Sequence, residues 1–225
     1  MRFKSRPVLL ALVAAFATSA VTAAAASAAT PEFKPVPTKK KFTSTSGTVT
    51  FEASGNTLTC EKSATTGEIT GAETLGKVIV KFTGCKSTGS GGSNCALKSK
   101  NTTTAGEILT DALDGELGTV ATTQASSGVG VLLKPATGTL WTELEANTCT
   151  HATKVTGTIA AEVATIGKKQ ATNKFVFATS GGSQGIKKIT LDSGKTAEPE
   201  LVAWSEPLTM NKTDEVTFEE ALEVT

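Results

Sequence analysis

The chain has 225 residues and a formal net charge of +1, and it contains 21 Gly, 40 Thr, four Cys, one His and no Tyr. A net charge this close to zero gives no broad basic surface for binding a nucleic acid. The hydrophobic content of 39% is too high for a disordered chain. Thr and Val favour half-buried strands and Gly favours turns, so the composition predicts an all-β protein.

The N-terminus has the features of an export signal. Arg2, Lys4 and Arg6 precede an apolar run at 8–16, and the small residues Ala26-Ser27-Ala28 follow. This order predicts a secretory signal peptide over 1–29, cleaved after residue 28 or 29. The apolar run is too short to span a bilayer, so we expect a secreted or cell-envelope protein without a membrane span after signal cleavage.

The rest of the chain divides by composition. Pro31, Pro35 and Pro37 together with Lys39, Lys40 and Lys41 predict a stiff, solvated leader at 30–41. Residues 42–225 are expected to form a single all-β domain. Weak internal similarity between the segments 58–69 and 147–159 leaves open an arrangement as two similar subdomains.

Four cysteines lie after the signal segment, which in an oxidising compartment predicts two disulfides. Three connectivities are open. We favour Cys85–Cys95, which would close a short Ser/Gly-rich loop, and this choice leaves Cys60–Cys149 as the second bridge.

Most of the chain alternates apolar and polar residues, the period of a strand. Turn signals at Gly55-Asn56, Asp114-Gly115 and Asp192-Ser193-Gly194 separate the alternating runs, and Glu219-Glu220 suggests a bulge or a short helix near the C-terminus. The pattern predicts about 12–14 short strands in a disulfide-stapled antiparallel β-sandwich or barrel. The alternating runs begin at Val49, Leu58, Val78, Glu107, Glu116, Val129, Val155, Phe175, Ile189 and Val216.

Three stretches resemble one group of proteins: Leu58–Lys62 with Gly67-Glu68-Ile69, then Lys81–Lys86, then Gly106-Glu107-Ile108. They are similar to segments of secreted, Thr/Gly-rich bacterial proteins without an assigned activity, and the resemblance runs from about Phe42 onward. It implies export and a β-rich body. It implies no catalytic residues.

The candidates for catalysis are few. Gly181–Gly185 matches the G-x-S-x-G motif around Ser183, but the segment that follows is predicted as a strand rather than the helix this motif requires. His151 would have to act as the general base, and Glu143 or Glu145 could orient it or form a carboxylate pair. A secreted hydrolase using His151 with Ser183 or a carboxylate is therefore the alternative function, and a self-associating envelope protein is another.

Metal sites have weak support in the sequence. Asp111, Asp114 and Glu116 could offer oxygen ligands to calcium, but their spacing does not match a calcium-binding loop. Cys149 and His151 lack the paired spacing of a zinc site. We therefore predict no metal and no cofactor.

Trp141 and Trp204 are the candidate ligand-binding residues, because an exposed Trp can stack on a sugar or anchor an interface. With few catalytic candidates and no nucleotide motif, we expect a non-catalytic binding or surface protein. Its partner would be an envelope glycan or a surface protein, and no nucleic acid is expected.

Overall fold

The structure, a computed structural model, describes residues 30–36, 39–53, 55–88, 94–120 and 128–225. The signal peptide predicted at 1–29 lies outside the described residues. Within them the chain forms strands and turns without a helix, as predicted. In chain order the strands are β1 (Phe33–Lys34), β2 (Lys40–Ser46), β3 (Val49–Ala53), β4 (Asn56–Cys60), β5 (Lys62–Ile69), β6 (Thr74–Thr83), β7 (Lys86–Thr88), β8 (Asn94–Ala96), β9 (Glu107–Leu109), β10 (Leu113–Val120), β11 (Val129–Pro135), β12 (Leu140–Leu144), β13 (Thr153–Gly157), β14 (Ile159–Val163), β15 (Gln170–Phe177), β16 (Thr179–Ser180), β17 (Ser183–Gln184), β18 (Ile189–Leu191), β19 (Thr196–Ala197), β20 (Leu201–Ala203) and β21 (Glu206–Val224).

Eight of these strands close into an antiparallel barrel in the order β2-β5-β6-β10-β11-β14-β15-β21, with β21 pairing back to β2. Successive side chains on each strand point alternately inward and outward, so period-two sequences fill the barrel and leave polar residues outside. Of the two architectures that the sequence left open, a sandwich or a barrel, the structure forms the barrel.

A second sheet continues from one end of the barrel because β21 is long enough to belong to both. Its first residues pair with β20 and β3, and the sheet order is β12-β13-β20-β21-β3-β4-β7-β8. Residues 98–100, which follow β8, pair with β12 at the opposite edge of this sheet. Lys100 N donates to Glu143 O at 2.9 Å, and Glu145 N donates to Lys98 O at 3.0 Å.

The two disulfides are Cys60–Cys85 and Cys95–Cys149, with Cα–Cα distances of 3.9 and 5.9 Å. All four cysteines are bridged as predicted, but the favoured pairing of Cys85 with Cys95 is wrong. The register between β4 and β7 places Cys60 directly opposite Cys85. In the β7–β8 hairpin Cys95 lies opposite Ser87, so Cys85 and Cys95 are offset by two residues and are too far apart diagonally for a bridge.

The turn predictions had mixed outcomes. Gly55-Asn56 and Asp192-Ser193-Gly194 lie at or beside turns between paired strands, and the register of β21 against β15 shifts around Glu219-Glu220 as a bulge requires. The hairpin predicted at Asp114-Gly115 is wrong, because both residues lie within β10. Gly115 instead allows close packing, since a Cβ there would lie 3.0–3.1 Å from side chains of Leu75 and Leu133.

The longer strands agree with the predicted number, and the N-terminal segment makes contacts that the sequence did not indicate. The structure has twelve strands of five or more residues, but nine more of only two or three residues raise the described total to 21. In the segment predicted as a solvated leader, Phe33 is fully buried and contacts Phe218 edge-on. Backbone pairing of Phe33 with Val224 holds this segment against the end of the barrel.

Candidate functional site

The two-residue turn between β20 and β21 presents a tryptophan in an unusual backbone conformation. Trp204 and Ser205 both have positive φ, 51° and 64°, which is the geometry of a type I′ hairpin turn. Asn and Gly are the usual residues there, because a bulky side chain with positive φ is sterically unfavourable. The surroundings therefore have to hold this turn in place.

Two hydrogen bonds from Trp204 do so. Its backbone N–H donates to Thr153 Oγ1 at 2.8 Å, and its indole Nε1–H donates to the backbone oxygen of His151 at 3.2 Å. The indole is partly exposed and packs against the main hydrophobic core. Hydrogen bonds from the backbone N–H and from the indole N–H thus fix the orientation of Trp204 without a ligand.

Trp204 borders an open groove of about 640 Å³ on the outer face of β12, β13 and β20. The register places Glu143 opposite Lys154 and Thr156 opposite Val202, so these four side chains share one face of the sheet. The complete lining is Glu143, Ala152, Thr153, Lys154, Thr156, Val202, Trp204 and Ser205. The groove thus combines one aromatic side with hydroxyl and charged groups, and it is shallow and widely open to solvent.

Ion pairs define the charge at the edge of this groove. Lys100 Nζ lies 2.6 Å from Glu143 Oε1, and Lys98 Nζ lies 2.9 Å from Glu145 Oε2. The hydrogen bond from Lys100 lowers the pKa of Glu143 below its ordinary value of 4.5. Glu143 is therefore an ionised carboxylate near neutral pH and cannot serve there as a proton donor.

The structure separates the remaining residues proposed for catalysis. His151 is exposed beside the Trp204 turn. Ser183 lies in the β16–β17 hairpin, whose next residue, Gln184, binds the backbone of Met210. Met210 is the fifth residue of β21, which begins at Glu206 directly after the Trp204-Ser205 turn, so it lies roughly 14 Å along the strand from the turn. The geometry therefore does not bring Ser183 and His151 together.

Trp141 occupies a different environment from Trp204. It is only 3% exposed, its Nε1–H donates to Gly157 O at 2.8 Å, and it lies between the interior of the barrel and that of the second sheet. Those interiors leave cavities of about 20 and 30 Å³. Spaces of that size hold a water molecule but no organic ligand, so a larger ligand has to bind outside.

Sequence reasoning missed the most unusual polar group of the described chain, a buried ion pair between Lys212 and Asp214 on β21 inside the barrel. A signal was present in the sequence. Lys212 and Asp214 share the period-two face of Met210, Val216 and Phe218, which alternation assigns to the interior.

The acidic residues that the sequence offered as calcium ligands lie in or near β10. Asp111 and Asp114 lie near the start of β10, and Glu116 pairs with Lys134 at 3.6 Å. Over 30–36, 39–53, 55–88, 94–120 and 128–225 no group of three or more His, Cys, Asp or Glu residues is arranged to hold a metal ion. In the same ranges no helix is long and apolar enough to cross a membrane.

Comparison with known proteins gives no relative: no family model, no curated protein and no solved structure matches this chain. The resemblance to secreted Thr/Gly-rich proteins stays a prediction. The functional argument therefore rests on the geometry of the site.

Proposed function

We propose that this protein is an exported, non-catalytic binding protein that holds a carbohydrate of the cell envelope in the groove beside Trp204. The observation that carries the proposal is the fixed, partly exposed indole of Trp204 at the side of an open groove of about 640 Å³. Two disulfides are compatible with an oxidising compartment, and the N-terminal sequence has the signature of export.

The chemistry of the lining favours a sugar. Trp offers a broad apolar face against which the C–H face of a sugar ring can pack. Thr153, Thr156 and Ser205 carry hydroxyl groups beside it, and Lys154 and Glu143 carry opposite charges. Hydroxyls and charged groups can exchange hydrogen bonds with sugar hydroxyls, so one surface meets both the apolar and the polar side of a saccharide.

Rigidity favours binding as well. The Trp204 side chain is already anchored through its indole N–H and by core packing, so little rotamer freedom is left to lose when a ligand binds. A type I′ turn with a tryptophan at its first central position is costly for the fold, and such strain is found preferentially at functional positions.

The ionisable groups support binding rather than hydrolysis. A glycosidase needs one carboxyl group that is protonated and a second that is ionised. Glu143 is paired with Lys100, which lowers the pKa of this carboxyl and keeps it ionised, and Glu145 is paired with Lys98. His151 uses its backbone oxygen to orient Trp204, a positioning contact that needs no imidazole chemistry.

Co-sedimentation with isolated cell envelopes and a panel of insoluble polysaccharides tests the proposal. We expect saturable pelleting by the mature protein without release of soluble sugar. Trp204→Ala should raise the apparent Kd at least tenfold, because truncating an aromatic anchor commonly costs 2 kcal/mol or more, as an order of magnitude. Trp204→Phe should retain part of the affinity.

A matched control separates the groove from general surface hydrophobicity. Val36 is 58% exposed and lies outside the groove, so Val36→Ala removes an exposed apolar side chain without touching the site. It should bind like the unaltered protein. Equal binding by the Trp204→Ala protein, with its melting curve unchanged, would contradict the proposal. Pelleting with envelopes stripped of glycan would point to a protein partner instead.

A further inference from the structure

The interior of the barrel contains a charged pair that the carbohydrate site does not use. Lys212 Nζ lies 2.9 Å from Asp214 Oδ2, and the side chains are only 2% and 7% exposed. The Lys212 ammonium also lies 5.3 Å from the centre of the Phe82 ring and 5.0 Å from that of Phe177. It donates a long hydrogen bond of 3.4 Å to Ser63 Oγ. The ammonium is therefore compensated on several sides.

Asp214 is only half satisfied. Its Oδ2 accepts from Lys212, but its Oδ1 is buried and has no hydrogen-bond partner among the described residues. The buried hydroxyl of Thr65 on β5 is likewise without a partner in that part of the chain. A buried polar atom without a hydrogen bond costs roughly 1–3 kcal/mol, so two such atoms need an explanation.

Both residues line the same small cavity. Asp214 and Thr65 border the barrel cavity of about 20 Å³, together with Ser44, Lys212 and apolar side chains. The strands agree with this placement: β2 pairs with both β5 and β21, so Thr65 and Asp214 face inward from either side of β2. The space exceeds the roughly 10–15 Å³ that one water molecule needs.

We propose that this cavity is a binding site for a single water molecule, which donates to Asp214 Oδ1 and exchanges a second hydrogen bond with Thr65 Oγ1. Water fits because Asp214 Oδ1 requires a donor, and a water molecule supplies two. A metal cation fits poorly, because the Lys212 ammonium already supplies the positive charge at this carboxylate. An organic ligand exceeds the volume.

A polar route leads from this region toward the surface. Ser63 Oγ lies 2.7 Å from Ser46 Oγ, and Ser46 is partly exposed near the end of β2. Brief opening of the strands at this end would admit water without unfolding the barrel. The site therefore completes the hydrogen bonding of the buried charges rather than serving a reaction.

The Thr65→Val variant tests whether the cavity holds a water molecule, because the melting temperature should change in opposite directions in the two cases. With the water in place, Thr65→Val removes one of its partners, and the melting temperature should fall. If the hydroxyl were buried alone, Thr65→Val would remove an unsatisfied group and raise or maintain the melting temperature. Thr66→Val is the matched control, because Thr66 is exposed on the same strand.

A high-resolution crystal structure gives a direct second measurement. We expect one peak of solvent density within hydrogen-bond distance of both Asp214 Oδ1 and Thr65 Oγ1, and its loss or weakening in the Thr65→Val protein. A dry cavity in the unaltered protein would overturn the proposal. So would a melting temperature of Thr65→Val equal to or above that of Thr66→Val.

Discussion

Removing one member of the buried ion pair should destabilise the protein strongly. In Asp214→Val the Lys212 ammonium keeps only the 3.4 Å contact with Ser63 and the two phenyl faces, inside a barrel that leaves it 2% exposed. Breaking a buried pair in this way costs about 3–5 kcal/mol. For a chain of this size each kcal/mol lowers the melting temperature by about 2–4 °C, so we expect a loss of roughly 6–20 °C.

The double variant Lys212→Met/Asp214→Val distinguishes charge pairing from simple packing. It removes both charges and fills similar volumes with apolar groups, so it should recover most of the stability that the single variant loses. Denaturant unfolding of the two single variants and the double variant gives the coupling free energy directly. Tryptophan fluorescence follows the transition, because Trp141 is buried beside the barrel interior.

A surface pair provides the control. Lys40 and Glu220 form an ion pair on exposed parts of β2 and β21, where solvent screens the charges. Lys40→Met should therefore change the unfolding free energy far less than Asp214→Val. A single variant at Asp214 as stable as this control would refute the argument, and so would a double variant whose loss equals the sum of the two single losses.

Two further predictions concern crosslinks and acid stability. Replacing both Cys60 and Cys85 by Ser should lower the free energy of unfolding by about 3.5 kcal/mol, because the bridge closes a separation of 25 residues. Denaturant unfolding measures this change. Non-reducing peptide mapping that joins Cys85 to Cys95 would contradict the pairing. Because the folded-state pKa of Glu143 is lowered by Lys100, its contribution to stability is present above about pH 4.5 and is lost as the pH falls through the lowered value. Lys100→Met should make the fall in melting temperature below pH 4.5 shallower, and an unchanged profile would show that this pair is not coupled to folding.

The local features were predictable because they depend on neighbours in sequence. Alternation identified most of the longer strands, and Gly55-Asn56 and Asp192–Gly194 mark turns through residues that tolerate the required backbone angles. Asp114-Gly115 failed because the same dipeptide that favours a turn also permits close packing inside a strand. A turn and close packing at Gly115 can be told apart only when the side chains that lie against it, those of Leu75 and Leu133, are known.

The candidate site was predictable only in part. Trp204 was singled out together with Trp141, but nothing in either local sequence tells which one is buried. The turn at Trp204-Ser205 carried no glycine or asparagine signal, because contacts with Thr153 and His151 from a distant loop and strand hold it. Such support is long-range, so local propensities do not report it.

The sequence by itself determined that the chain forms strands, which residues alternate between two faces, and that the four cysteines would be bridged. Only the tertiary structure decided the closure into a barrel, the pairing of Cys60 with Cys85 and the burial of Trp141. It also decided that Lys212 lies among apolar side chains inside the barrel. The physical reason is strand register. Alternation repeats every two residues along one strand, but which residue lies opposite which is set by hydrogen bonding between strands far apart in sequence.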